Sequence, residues 1–352
     1  MKKITALALL SIALVSCKKE TQTVTKIDPK TGKTITVEVP VEDSAKTAAT
    51  VAANPAIKDS LGVYRQSFKL EKGKTYPLVT YQRDVQSITA PNGQSQSGTS
   101  ESTDEMSFTV NNFDKGIYDI TINLLGKRNS QTANGKTITI DTKQAAPADQ
   151  NLKMMWTVNK ALTGNKLQMK MQENGKVLSI TGFEPIYTKV ASSAGSLIKD
   201  ATQKNAFLKS FKSSFSEATI KEQFSKNLMV LPAKGAKIGQ KWTESENATP
   251  DGKVKITTTY VLKSVADGIA NVSVTGGIPY KSEKRSKEGV THSLSSELSQ
   301  SGNVQLDQNT GWIKHQNISV KTTQTESISD GKQTQSMKSS STSTVMVNPS
   351  GK

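Results

Sequence analysis

Few residues of this chain could carry acid–base or nucleophilic chemistry. A hydrolase needs a nucleophile, a base and a group that orients the base, which is most often a histidine. The sequence contains two histidines, His292 and His315, and no Gly-x-Ser-x-Gly motif. Both lie in polar or strand-like surroundings, so we interpret them as solvated surface residues. No pair of acidic residues stands out as a glycosidase dyad. The sequence therefore predicts no catalytic residue, and a protein that is not an enzyme.

Metal and cofactor sites also lack their usual ligands. Zinc requires clustered cysteines and histidines, and residues 307–311 (DQNTG), the nearest approach to a calcium loop, lack its closing glutamate. Gly-Lys-Thr triplets at 32–34 and 135–137 lack the upstream glycine of a phosphate loop, because Ile27 and Ser130 stand at that position. No basic stretch is interleaved with stacking aromatic residues. We predict no metal, no cofactor and no nucleic-acid partner.

Cys17, the only cysteine, has the clearest chemical role. Lys2 and Lys3 precede an apolar run, residues 4–15, that is shorter than the roughly 20 residues of a membrane-spanning helix. The run ends in the sequence LVSC, which resembles the lipobox of bacterial lipoproteins, where signal cleavage precedes an acylated cysteine. Residues 1–16 are therefore predicted to be a signal peptide and Cys17 the lipidation site. Its acyl chains would anchor the protein at about 0.8 kcal/mol per buried CH₂.

The residues after Cys17 indicate which membrane holds the anchor. Lys18-Lys19-Glu20 lacks the aspartate that favours inner-membrane retention, and it loosely resembles the surface-export signal of Bacteroidetes lipoproteins. We therefore expect an outer-membrane lipoprotein, on either the periplasmic or the cell-surface face. The net charge of +16 favours contact with anionic lipid or glycan. The lysines are scattered, however, so a uniformly solvated basic surface is the alternative.

Residues 17–60 are predicted to form a flexible tether, because their composition buries little apolar surface. Within it, Asp43-Ser44-Ala45 and Asp59-Ser60-Leu61 resemble the O-glycosylation site of Bacteroidetes proteins. Ser44 and Ser60 are therefore candidate modification sites.

Period-two alternation predicts a first β unit over residues 61–190, in which 154–158, 166–171 and 176–180 are read as strands. No glycine or proline occurs between Ser196 and Leu231, and apolar residues there follow helical spacing. We expect one or two amphipathic helices in a helical segment over 191–232, with a capping box at residues 219–222. Strands resume in a second β unit over 233–347.

The two β units share one pattern. Residues 108–122 align without a gap to 260–274, each as strand, turn and strand. Gly73 and Tyr76 match Gly239 and Trp242, and residues 164–177 match 302–313 with two residues fewer. The sequence therefore predicts a mainly β fold of two related antiparallel units, arranged as curved sheets, a sandwich or a half-barrel, with the helical segment between them.

This layout resembles a family of uncharacterised, β-rich Bacteroidetes lipoproteins. The resemblance rests on Cys17, the helical segment that ends at Pro232, and residues 237–242 (KIGQKW) and 307–313 (DQNTGWI). It covers residues 60–345 and implies no activity, so no residue acquires a functional role from it.

Two functions remain open. The first is a non-catalytic envelope protein that presents its β-rich body to a partner protein or an anionic glycan. The second is a carrier or chaperone that holds an apolar ligand such as lipid between a concave sheet and the face of Leu208, Phe211 and Phe215. Half-barrels of periplasmic lipid-handling proteins resemble this arrangement at the level of fold alone. The first function predicts a filled core, and the second a large apolar cavity.

Replacing Cys17 tests the predicted anchor. We expect Cys17→Ser to abolish incorporation of radioactive palmitate, because only the thiol accepts the acyl chain. The matched control Ser16→Ala keeps a small residue before the cysteine and should keep the label. Labelled Cys17→Ser protein would contradict the assignment.

Overall fold

The computed structural model describes residues 21–27, 34–40, 55–249, 252 and 254–349. The chain divides into two compact units, Met1–Asn54 and Pro55–Lys352. Cys17 and Ser44 lie outside the described residues. In the first unit, β1 (Thr21–Ile27) pairs antiparallel with β2 (Thr34–Pro40), so the segment predicted as a tether contains a hairpin.

The second unit is built on one antiparallel sheet of twelve strands. A separate short hairpin, β3 (Lys58–Ser60) and β4 (Val63–Arg65), precedes it. The sheet strands are β5 (Thr75–Thr89), β6 (Ser95–Asp114), β7 (Ile117–Ala133), β8 (Lys136–Asp141), β9 (Lys166–Gln172), β10 (Val177–Thr181), β11 (Lys241–Asn247), β12 (Lys255–Ala266), β13 (Ile269–Lys287), β14 (Val290–Asp307), β15 (Ile313–Ser329) and β16 (Thr334–Val347). Their order is β10-β9-β7-β6-β5-β16-β15-β14-β13-β12-β11, and β8 pairs with β7 beside this path. The mainly β prediction is confirmed, and the two related units form one continuous sheet through β16.

The strand pairings repeat between the two β units. Val110 pairs with Ile120 as Leu262 pairs with Val272, and a shift of register follows at the equivalent position in both hairpins. Each hairpin closes on two residues with positive φ, 48° and 77° at 115–116 and 52° and 74° at 267–268, the geometry of a type I′ turn. Ahead of the first sheet strand of each unit, a glycine N–H donates to the neighbouring strand. Gly73 donates to Val110 O of β6 (2.8 Å), and Gly239 donates to Leu262 O of β12 (2.7 Å).

The third predicted match, of residues 164–177 with 302–313, differs from the observed strand pairing by three residues at its start. Val274 pairs with Gly302, whereas Ile122, its counterpart in the first unit, pairs with Leu167 rather than Gly164. The displacement arises because the long strand β14 has two counterparts, β8 and β9. An insertion that carries a helix separates them.

The described residues form four helices: α1 (Gln150–Leu162), α2 (Phe183–Gly195), α3 (Ala201–Ser214) and α4 (Glu217–Leu228). The two helices α3 and α4 confirm the predicted amphipathic segment. The cap of α4 lies earlier than predicted, because the Ser216 side chain accepts the N–H of Thr219 at 3.3 Å. The strand predicted over 154–158 is wrong: these residues belong to α1, which Asp149 caps by accepting two backbone N–H groups. A short apolar run does not distinguish a strand from a helix turn.

The core lies at one end of the long strands, which we call the base. Trp312 stands at its centre and contacts the rings of Phe68, Tyr76 and Phe108 at centroid distances of 6.1, 5.5 and 5.1 Å. Its indole N–H donates to Pro77 O at 2.9 Å. The body also begins earlier than residue 61, because Ala56 and Ile57 are fully buried.

Gln66 connects three distant parts of the base: its own segment, the end of α4 and the β14–β15 turn. Its buried side-chain N–H₂ donates to the backbone oxygens of Leu228 and Gly311, both at 3.0 Å. Its Oε1 accepts the N–H groups of Val230 and Leu231 at 2.8 and 3.1 Å. One side chain therefore joins the end of α4 to the β14–β15 turn, and all its hydrogen-bonding capacity is used.

Gln66→Met should destabilise the protein strongly. Methionine has a similar volume but leaves two buried N–H and two carbonyl groups without this partner, at a cost of about 1–3 kcal/mol for each group that stays unpaired. We expect the free energy of unfolding, measured by urea denaturation, to fall by about 3 kcal/mol or more.

The control is Gln96→Met, at an exposed position of β6. It should change stability by less than about 0.5 kcal/mol. Equal stability of the two variants would show that the Gln66 contacts are not needed.

Candidate functional site

Two adjoining cavities lie between the helices and one face of the sheet, which we call the inner face. The basal cavity has a volume of about 580 Å³ and is bounded by β5, β6, β7, β15, β16, α1 and α4. The second, of about 540 Å³, continues toward β8 and Phe207 of α3. Gln82, Lys127 and Asn159 line both cavities, which we together call the inner groove. Each volume falls in the range of about 300–1,000 Å³ that is typical of small-molecule sites.

Strand alternation determines which side chains form the groove floor. On β5, Leu78, Thr80 and Gln82 point to one face because side chains alternate along a strand. The register places Thr80 beside Asp104 of β6 and beside Val347 of β16. Residues from both ends of the chain thus meet on the floor.

The basal cavity is lined by eleven apolar side chains. They come from five strands and three helix-associated segments: Leu78, Met106, Leu124, Leu162, Phe215, Ile220, Phe224, Leu228, Ile313, Val345 and Val347. The cavity is therefore an open continuation of the core.

The aromatic stripe of α3 only partly faces the groove. Phe215, at the end of α3, lines the basal cavity, and Phe207 lines the second. Phe211 instead stacks between them at 6.4 and 5.7 Å, and it meets the ring of Tyr187 at 6.2 Å. Leu208 packs against the core. Of the three residues predicted to face a ligand, Phe215 lines the inner groove and Leu208 and Phe211 do not.

Polar side chains line the part of the groove nearer α1. Lys127 Nζ lies 2.5 Å from Asp104 Oδ1, and Gln82 Nε2 donates to both carboxylate oxygens of Asp84 at 3.1 and 2.9 Å. Asn159 of α1 donates to Asn129 Oδ1 of β7 at 3.2 Å. The sheet floor of the groove is thus apolar at its base and polar further along, while β8 and α1 add apolar side chains such as Ile138, Met154 and Met155 to the second cavity.

The residues that drew attention in the sequence lie apart from this groove. His315 Nδ1 lies 3.1 Å from Asn348 O, while His292 is exposed and lines a separate cavity near the hairpin tips with Glu283 and Arg285. Asp307 Oδ1 accepts both the N–H and the hydroxyl of Thr310, at 2.8 and 2.9 Å, so residues 307–311 form a turn as predicted. Ser60 lies on the exposed strand β3.

Among the described residues, no three His, Cys, Asp or Glu side chains are grouped so that they could hold a metal ion. Within the same part of the chain, no helix is both long and apolar enough to cross a membrane. Asn134 and Gly135 form the turn between β7 and β8, with φ of 50° and 74°, in place of a phosphate loop.

Burial raises the pKa of several tyrosines. Tyr260 stacks on Trp242 at 5.5 Å, and burial, followed by the nearby charges of Glu244 and Glu246, raises its pKa to about 12. Burial also raises the pKa of Tyr118, whose hydroxyl donates to Phe68 O at 3.0 Å and acts as a structural hydrogen-bonding group.

Sequence reasoning did not identify the groove residues Thr80, Gln82, Lys127 and Asn159. The available signal was the change from apolar to polar residues at alternate positions of β5, from Tyr76 and Leu78 to Thr80 and Gln82. It indicates where inward packing ends. It does not reveal which other strands or helices stand opposite.

Comparisons with known proteins give a family but no activity. No curated protein matches the chain. A solved structure described as showing lipid–protein interactions in lipovitellin has a TM-score of 0.33 at 12% identity; it covers 81% of this chain, which spans only 26% of that one. OccK5 (OpdH) of Pseudomonas aeruginosa gives a TM-score of 0.17 at 5% identity, with 78% of this chain and 98% of that one covered. Both TM-scores are low, so these similarities establish neither fold nor function.

A protein-family profile also matches the chain. The profile of a family of unknown function, DUF6263, matches residues 115–313, from the β6–β7 turn to the start of β15. This region is more than half of the chain, and the protein therefore belongs to the DUF6263 family.

Proposed function

We propose that this protein is a non-catalytic lipoprotein of the bacterial outer membrane that binds an amphipathic ligand in the inner groove. In this proposal the chain is one of the Bacteroidetes lipoproteins that it resembles, and acylated Cys17 holds it at the membrane. The carrier hypothesis is favoured over simple presentation of a surface. The apolar end of the groove is the observation that supports this choice.

An apolar cavity open to water is unfavourable until a ligand covers it. Burial of apolar surface contributes about 25 cal/mol per Å², and the basal cavity exposes side chains such as Met106, Leu124 and Ile220 within a volume of about 580 Å³. An alkyl chain placed there would extend the core without changing the sheet. The groove is therefore suited to the apolar part of a ligand.

The polar part of the sheet floor supports an amphipathic rather than a purely apolar ligand. Gln82, Asp104 and Lys127 follow the apolar residues along the floor, and hydrocarbon against them would leave polar groups desolvated. A ligand with a polar headgroup on this part of the floor and an apolar chain toward Leu228 matches both parts. The basic charge of the chain is consistent with a location close to anionic membrane surface.

The variant Thr80→Trp tests the proposal by filling the groove floor. Thr80 is half-buried and lines the basal cavity, so an indole at this position should occupy the space of an alkyl chain. With N-phenyl-1-naphthylamine as an uncharged fluorescent probe, we expect binding to weaken about tenfold or more, a loss of at least about 1.4 kcal/mol. Cys17→Ser in every sample removes the need for detergent.

Thr344→Trp is the matched control. Thr344 is also half-buried, but it pairs with Arg83 on the opposite face of the sheet. It should leave probe binding unchanged, and added salt should have little effect on the unmodified protein. The proposal is overturned if the parent protein does not bind the probe or if both variants bind it equally well.

A further inference from the structure

The excess of basic residues does not extend into the inner groove. Three charged side chains point into its two cavities, Asp84, Asp104 and Lys127, because they share the sheet face of Thr80 and Gln82. Two of them are acidic and one is basic, although the whole chain has a net charge of +16. The groove therefore differs in charge from the rest of the molecule.

The lysine of the groove is already paired. Lys127 Nζ lies 2.5 Å from Asp104 Oδ1, at adjacent positions of β6 and β7. A phosphate or carboxylate headgroup would have to compete with Asp104 for this ammonium group. Like charges at such short range oppose binding, and the partly enclosed site reduces their screening.

Glu101 and Glu105 border the cavities, but they alternate with Asp104 along β6, so their side chains point to the opposite face of the sheet and have partners there. Glu101 accepts the Tyr81 hydroxyl at 2.9 Å and lies 3.4 Å from Arg83 Nε. Glu105 accepts Lys143 Nζ at 2.7 and 2.6 Å. These cations are directed to the carboxylates of the sheet, so they do not form an anion site in the groove.

Uncharged hydrogen-bonding groups make up most of the remaining polar lining. Seven carboxamides contribute: Gln82, Asn129, Gln131, Asn159, Gln223, Asn227 and Gln316. A carboxamide both donates and accepts, as a sugar hydroxyl does. In one such pair, Asn159 Nδ2 donates to Asn129 Oδ1 at 3.2 Å, a bond that does not use the oxygen of Asn159 or the N–H₂ of Asn129. Ser100 and Ser102 add hydroxyls on the same face.

We infer that the groove selects an amphipathic ligand whose headgroup is uncharged and rich in hydroxyl groups, such as the sugar of a glycolipid, over one with an anionic phosphate headgroup. This inference rests on the proposed function, because the apolar chain of the ligand occupies the basal cavity. It adds the chemical class of the headgroup. The carboxamides near α1 hold the sugar, and the Asp104–Lys127 pair stays intact.

Two probes with the same alkyl chain test the selection. Octyl glucoside and octyl phosphate, each below its micelle-forming concentration, are titrated against N-phenyl-1-naphthylamine bound to the full-length Cys17→Ser protein. We expect octyl glucoside to displace the probe at a concentration about tenfold lower than octyl phosphate. Equal potency, or tighter binding of octyl phosphate, overturns the headgroup inference and leaves the proposed function standing.

The variant Asn159→Leu tests whether the carboxamides near α1 hold the sugar. It should weaken octyl glucoside about fivefold, because a carboxamide partner is lost, with the affinity of N-phenyl-1-naphthylamine measured in the same variant as the reference. Asn151→Leu, at an exposed position of the same helix, is the control and should behave as the parent protein. An unchanged octyl glucoside affinity in Asn159→Leu contradicts the role of this end of the groove.

Glucose without an alkyl chain separates the two proposals. It should bind far more weakly than octyl glucoside. If glucose binds as tightly, the sugar inference holds and the role of the apolar cavity in the proposed function fails. If neither the naphthylamine nor the glucoside binds, both proposals fail.

Discussion

The architecture depends on a change of polarity part-way along the same strands. On the inner face, β5 presents Tyr76 and Leu78 and then Thr80 and Gln82, and β6 runs from Phe108 to Ser102 in the same direction. Because strand alternation fixes which residues face inward, a dry core can form only at the base. The strands continue beyond that core, so the part of their inner face that α1 does not cover must meet either water or a ligand.

Helix packing at the base keeps the groove in place. Glu217 at the start of α4 accepts the N–H of Ile180 at 3.1 Å, and Lys221 donates to Leu178 O at 2.8 Å. These bonds occupy the edge of β10, which would otherwise be an unpaired strand edge. At the other end of α4, Gln66 connects the helix to the β14–β15 turn. The wall formed by α4 is therefore fixed at both ends, and such pre-organisation reduces the entropy cost of binding.

Local patterns predicted much of the sheet, whereas long-range arrangement was beyond them. The hairpin turns at 115–116 and 267–268 could be predicted because they require residues that tolerate positive φ. Helix α1 was missed because its apolar run, 154–158, carries no periodicity that separates helix from strand. The pairing of β5 with β16 joins residues that are far apart in the sequence, such as Thr80 and Val347. No local signal specifies this pairing, and without it the groove floor could not be predicted.

The central claim is that a ligand chain lies against the apolar floor of the inner groove. Photo-crosslinking measures this most directly: an alkyl glucoside with a diazirine at the end of its chain is irradiated with the full-length protein, and labelled peptides are identified by mass spectrometry. The account predicts label on residues such as Met106, Ile220 and Val345, which line the basal cavity. Label confined to the outer face of the sheet or to the hairpin tips around His292 would contradict it.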